Sequence, residues 1–317
     1  MTGIWLRRSL LLAASAAALA LAACGSGTIE SQLQPTRLIA FGDGFADVGQ
    51  GGGRYTINDN TLNVWTLQMA SQYGRELTPS STGGLSYATG NARIAAKPDA
   101  AGVSATPTVT EQIDRFLAAN TLVQNDLVVV NAGVSDIIVE VAAALAGTQT
   151  SAQAVANVRT AARAMATQVR RLVTAGGRHI VVVGPYNMGR SPWAIQTSQQ
   201  SLLTDAASRF NEELLVNIAD LGANVLYIDA ALHFNLVVAS PSLYSLTNAT
   251  DVVCTSVDAG AGIGTGAGQV NSRLCTPSTL LAGVDTARYL WADRVYPSPQ
   301  AHRTFGDYAH ARIRERW

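Results

Sequence analysis

Charge is scarce in this chain. Of 317 residues only 14% are charged, 22 basic against 22 acidic, so the formal net charge is zero. No run of lysine or arginine appears. A nucleic-acid partner calls for a basic patch or stripe, and the sequence predicts none. The longest apolar stretch, residues 9–23, is too short for a membrane-spanning helix. There is no internal repeat and no sign of a second-domain boundary. Nothing in the sequence calls for a metal or a cofactor. What remains is a chain 48% apolar, long enough for a sizeable core as one large α/β domain or two small ones.

The first 23 residues read as a targeting segment, with Arg7 and Arg8 ahead of a small, apolar run. The run ends Leu21-Ala22-Ala23-Cys24-Gly25, which resembles a bacterial lipobox. That resemblance implies cleavage before Cys24 and lipid on its thiol and new amino group, so the membrane becomes a partner. An ordinary signal peptide with an incidental cysteine is the alternative. Ser26 stands where an acidic residue would favour inner-membrane retention; by analogy with Gram-negative sorting the expected address is the outer membrane, in its periplasmic or surface leaflet. Residues 24–36 are then the lipidated end and tether, and residues 37–317 the folded domain. With Cys24 assigned to lipid, Cys254 and Cys275 remain as a pair in an oxidising compartment. Between them lies a glycine-rich segment, 259–268, and a bridge closing it stabilises by roughly 3 kcal/mol. A metal site at this pair lacks neighbouring ligands.

Residues 38–41 form a short apolar run that reads as a buried first strand, stopped by Gly42-Asp43-Gly44. A glycine-rich turn follows at 49–53. Residues 63–73 and 109–119 have helical spacing, and 127–130 is a second buried strand. A long helix over 151–175 is stopped by Gly176 and Gly177. Strand 179–184, helix 202–221 and strand 225–228 continue the rhythm, with Asp229 closing the last of these. Strands alternating with long helices predict an α/β fold with a parallel sheet wound on both sides. In such sheets ligands sit at the carboxyl ends of the strands, which puts Gly42–Gly44 at the centre of interest.

Four ordered stretches carry a family resemblance. Phe41-Gly-Asp-Gly-Phe45 resembles block I of the SGNH (GDSL-type) esterases and lipases, Gly-Asp-Ser-hydrophobic. Tyr87-Ala-Thr-Gly-Asn-Ala92 resembles block II, and Gly133-Val-Ser-Asp136 resembles block III, Gly-x-Asn-Asp. Asp293-Arg-Val-Tyr-Pro-Ser298 resembles block V, Asp-x-x-His-Pro-Thr, with His302 matching a further downstream histidine. The resemblance runs from about residue 37 to the end. It implies an SGNH, flavodoxin-like three-layer α/β/α fold with a central parallel sheet, and an ester hydrolase built on a serine, a histidine and an aspartate. Asp293 matches the triad acid and Gly90 an oxyanion donor. The nucleophile position is Gly44, the base position is Tyr296, and the asparagine donor position is Ser135; Asn91 stands where a second glycine is usual.

Acyl transfer needs a nucleophile, a base, an orienting acid and donors for the oxyanion. Glycine has no side chain, and a phenol titrating near 10 is a poor proton acceptor at neutral pH. Loss of nucleophile and base costs on the order of 10⁶ in rate. The expectation is therefore a lipoprotein with a degenerate triad, which binds an acylated envelope glycan, a lipid or a partner protein. A rearranged ester hydrolase is the first rival, with Ser135 as displaced nucleophile and His302 as base. A structural lipoprotein with a vestigial cleft is the second. Asp43 and Asp47 read as turn residues, His179 and His233 as structural, and His310 as a surface residue. A cleft filled by Tyr296 would favour the scaffold role and an open, lined one would favour binding.

Overall fold

A computed structural model describes residues 33–317. The expectations for the targeting segment, the lipobox and Cys24 fall outside these residues. The folded unit includes Leu33, four residues earlier than the sequence suggests. Leu33 is buried and its N–H donates to the Trp317 carbonyl at 3.2 Å, while the Thr36 N–H reaches the Asn125 carbonyl at 2.8 Å.

The sheet forms where the sequence is most apolar. Strands β1 (Arg37–Gly42), β2 (Asp126–Asn131), β3 (His179–Val183) and β4 (Val225–Tyr227) pair in parallel in the order β1-β2-β3-β4. Val128, Val129 and Val130 on β2 and Ile180 to Val183 on β3 are fully buried. A strand covered on both faces has no polar side to show, so its sequence runs apolar without alternation. The free edge of β1 is covered by a short extended segment. The Leu85 carbonyl accepts from the Ala40 N–H at 3.1 Å, and the Tyr87 N–H donates to the Ala40 carbonyl at 2.7 Å. This lays block II directly beside block I.

Helices α1 (Trp65–Gln72), α2 (Val109–Ala119), α3 (Val134–Leu145), α4 (Ser151–Thr174), α5 (Pro192–Thr197), α6 (Gln200–Ile218), α7 (Ala230–Ala239) and α8 (Pro299–Arg316) surround the sheet. One group packs α4 against α3 and α6; another packs α8 against α1 and α7. Their starts are written locally. Thr108 and Glu111 form a reciprocal capping box on α2. Thr150 caps α4, and Ser298 caps α8 with Pro299 in its first turn. This is the α/β architecture of the SGNH fold. Helices α3 and α7 and the strands after residue 247 go beyond what the spacing predicts, and His233 lies within α7, just after β4.

Residues 248–291 form an excursion from this body. Strand β5 (Asn248–Val252) pairs with β8 (Tyr289–Trp291), and β6 (Val257–Asp258) with β7 (Gln269–Val270). The expected disulfide is present between Cys254 and Cys275. Both cysteines pack with Ile57, Val253 and Ala292 in a small cluster of their own.

Candidate functional site

The carboxyl ends of β1 and β2 meet at Gly42. Its φ is +153°, and a Cβ there would lie 1.9 Å from the Asn131 carbonyl oxygen, so only glycine fits. The side-chain amide of Gln112 closes the strand end, accepting from the Gly42 N–H and donating to its carbonyl, both at 2.9 Å. Asp43 follows and is fully buried. Its Oδ1 accepts from the Phe45 N–H at 3.1 Å. Its Oδ2 accepts from the N–H groups of Gly133, Val134 and Ser135 at 3.1, 3.0 and 3.4 Å, across the first turn of α3. Burial pushes this carboxyl up to about 7, against the pull of those N–H groups. Asp43 thus ties block I to block III and is the turn residue that the sequence suggests.

Ser135 is the second residue of α3 and is fully buried, and its hydroxyl has no hydrogen-bond partner among the described residues. The asparagine it replaces in the family pattern has no counterpart here.

Tyr296 occupies the centre of the site. It is fully buried between Gly44 and Tyr55, with its ring centroid 4.8 Å from that of Tyr55. A Cβ built on Gly44 would meet the Tyr296 hydroxyl at 2.7 Å and Cζ at 2.8 Å. The phenol therefore stands where any side chain at position 44 would start. Beyond it, the phenol end of Tyr55 packs against Gly90, whose Cβ would fall 2.1 Å from the Tyr55 hydroxyl and Cε2. Each of two glycines thus meets one ring of a tyrosine pair. The Gly90 N–H is already spent on Asp47 Oδ2 at 2.8 Å. Asp47 Oδ1 also takes the N–H groups of Gly49 and Gln50 at 2.8 and 2.7 Å. Asn91 has a φ of +60°, which explains why glycine is usual there and why asparagine, tolerant of that region, stands in.

The fully buried Asp293 carboxylate serves the backbone. Its Oδ1 accepts from the N–H groups of Val295 and Tyr296 at 2.8 and 2.7 Å, and its Oδ2 from Ser272 at 2.8 Å. This carboxylate holds the turn that aims the Tyr296 ring. Burial raises the Asp293 carboxyl and holds the Tyr296 phenol well above its ordinary value. The Tyr296 hydroxyl has no hydrogen-bond partner among the described residues.

His302 is fully buried beside Phe45, with ring centroids 5.2 Å apart. Its Nδ1 accepts from the Trp65 N–H at 3.4 Å. Burial pushes the imidazole down to about 3; the Tyr55 carbonyl opposes this without coming within bonding geometry of Nε2. His302 Nε2 and Ser135 Oγ each lack a partner, so they are not hydrogen-bonded to each other. His233 is buried and stacks on Tyr308. His310 is half-buried against Tyr73 rather than fully at the surface.

An open cavity of about 470 Å³ adjoins Tyr55, the outer member of the tyrosine pair. Asp47, Tyr55 and Gly90 line it from the block I and II side, and Asp258, Asn271 and Arg273 from the disulfide-closed excursion. The sequence points to Gly90 through its block and carries no local signal for Tyr55, Asp258 or Arg273. These residues come together only through contacts across some 200 positions, such as Arg273 Nη2 donating to the Gly51 carbonyl at 2.6 Å over a separation of 222. No local spacing encodes that. Among the described residues no group of acidic, histidine or cysteine side chains is placed to hold a metal ion.

Fold and block order together define an α/β protein of the acylhydrolase type, with a glycine at position 44. The chain belongs to the GDSL-like Lipase/Acylhydrolase family, whose model matches residues 38–309. A curated relative from Pseudomonas putida, described as an uncharacterized protein in the trpE-trpG intergenic region, is 25% identical over 162 residues. The match covers 51% of this chain and 26% of that protein, so the chain spans about a quarter of the relative's length. Two crystal structures are similar at 15% and 12% identity. Each match covers 89% of this chain and 97% or 98% of the other, with TM-scores of 0.47 and 0.39.

Proposed function

We propose that this chain is a GDSL-family protein that binds rather than hydrolyses, exported and anchored to the outer membrane through lipid on Cys24. The observation that carries the non-hydrolytic reading is the Tyr296 phenol, seated where a nucleophile at position 44 would begin. Glycine offers no attacking atom, and a phenol raised by burial takes no proton at neutral pH. His302 offers no replacement base, since its imidazole is sealed in the core and its Nε2 is not bonded to Ser135. The filled space at Gly44 supports a scaffold role at that point. The polar cavity beside it supports binding of a small ligand, and the anchor would hold that cavity in the envelope. Acylated glycans, lipids and proteins are the ligand classes from which a family member of this address would draw.

Two measurements test this. The purified full chain should give no turnover of short-chain aryl esters above a heat-killed control, and no labelling by a fluorophosphonate. Robust turnover or a covalent adduct refutes the non-hydrolytic reading. Intact mass of the chain extracted from membranes should show acyl additions that Cys24→Ser abolishes. An unmodified mass with cleavage elsewhere refutes the anchor and leaves the site reading standing.

A further inference from the structure

The cavity beside the tyrosine pair has an uneven supply of hydrogen-bonding groups. Asp47, Asp99 and Asp258 put three carboxylates on its walls against one guanidinium, that of Arg273. Asp99 is held by the N–H groups of Ala101 and Val103 at 2.9 and 2.7 Å and by the Thr106 hydroxyl at 2.6 Å. Asp258 accepts from the Gly260 N–H at 2.9 Å and from the Asn271 amide at 2.8 Å. A carboxylate has about four acceptor positions, so both retain lone pairs that these bonds do not use.

One side chain in the wall is unpartnered. Tyr55 is only 4% exposed and lines the cavity, and among the described residues none hydrogen-bonds its hydroxyl. Unlike the Tyr296 hydroxyl, it is not sealed from accessible space. A polar group held this firmly in a wall without a protein partner is placed to meet a ligand. The cavity's volume of about 470 Å³ falls within the ~300–1,000 Å³ range of small-molecule sites.

We infer that the cavity takes a small hydroxylated ammonium ligand, with a hydroxyl on the Tyr55 hydroxyl and the ammonium on Asp99 and Asp258. This inference rests on the binding reading above and specifies its ligand. An ammonium donates three hydrogen bonds and accepts none, which suits a wall rich in acceptors and carrying excess negative charge. The hydrogen bond from Asn271 holds the Asp258 carboxyl below the usual carboxylate range, so it carries its charge across the neutral range. Two sources supply this chemistry: an amino sugar and an amino-alcohol headgroup.

The test is titration of the full chain by calorimetry with glucosamine and with ethanolamine, each beside its neutral counterpart, glucose and ethylene glycol. Each cation should bind roughly tenfold tighter than its neutral counterpart, the gain expected for a hydrogen bond to a charged group. Tighter binding of glucosamine or of ethanolamine identifies the source. Asp258→Asn should weaken the cation about tenfold and leave glucose unchanged. Tyr55→Phe should weaken both members of a pair several-fold, and unchanged thermal midpoints should show that both variants fold. Glucose binding as tightly as glucosamine overturns the ammonium assignment and leaves the binding reading intact. Absence of binding by all four, or indifference to both variants, overturns the inference. The ester assay is scored separately, so hydrolysis would remove the non-hydrolytic reading whatever the titrations give.

Discussion

The ring of Tyr296 lies against the bare Cα of Gly44, with its hydroxyl 2.7 Å and its Cζ 2.8 Å from where a Cβ would stand. The two positions are complementary, so restoring a side chain at one without changing the other forces an overlap. Gly44→Ser alone should cost about 1–3 kcal/mol, the usual range for overpacking a buried site. Tyr296→Ala would open a cavity by itself, and the double variant should be more stable than the sum of the two. A coupling of about 0.5–3 kcal/mol in a denaturation cycle is expected; strict additivity would mean that the ring is free to move aside.

Restoring the whole constellation tests the chemistry as well as the packing. Gly44→Ser with Tyr296→His and Ser135→Asn places an imidazole three residues after Asp293, whose carboxylate already faces the backbone of that turn. Ester hydrolysis should appear in the triple variant and be absent from each single one. Activity in Gly44→Ser alone would show that a base exists elsewhere.

Tyr296→Phe removes a hydroxyl that is buried without a partner. Desolvating such a group costs about 1–3 kcal/mol with nothing returned. The variant should therefore be as stable as the parent or more stable by up to about 1 kcal/mol, read as a rise in the urea midpoint at constant slope. A clear loss of stability would reveal a hydrogen bond that the phenol makes in solution.

Acid should unfold the protein partly through His302. Its imidazole is pushed down to about 3 in the folded chain and titrates near 6.5 when unfolded. Between those values the unfolded chain binds more protons, so stability falls as pH drops below about 6.5. His233, pushed down to about 4 by burial, adds in the same direction. Asp43, raised to about 7, acts oppositely: its contribution is present at low pH and lost as pH rises through about 7. His302→Gln keeps an acceptor for the Trp65 N–H and should flatten the fall between pH 6.5 and pH 4 in denaturant titrations. An unchanged slope would show that His302 is not the group responsible.

The disulfide closes a separation of 21 residues around the glycine-rich segment. Cys254→Ser with Cys275→Ser should lower stability by about 3 kcal/mol and speed proteolytic nicking within residues 259–268. Equal stability and equal cleavage would mean that the small cluster of Ile57, Val253 and Ala292 holds the excursion unaided.

The sequence alone determined the sheet and most of the helices. Runs such as Val128-Val129-Val130 have only one comfortable place, inside a sheet covered on both faces, and the apolar spacing of residues 109–119 announces its own helix. It also marked the altered positions, because the absence of a side chain at Gly44 and of an imidazole at position 296 is a fact of composition. What those changes do was decided only by the tertiary structure. Whether Tyr296 points into the site or away from it depends on the Asp293 turn. Whether Gly90 has an N–H to offer depends on Asp47, 43 residues earlier. The cavity wall needs residues 47, 55, 90, 99, 258, 271 and 273 side by side. Such proximity arises from chain crossings and a disulfide-closed excursion, and these leave no periodic trace along the chain.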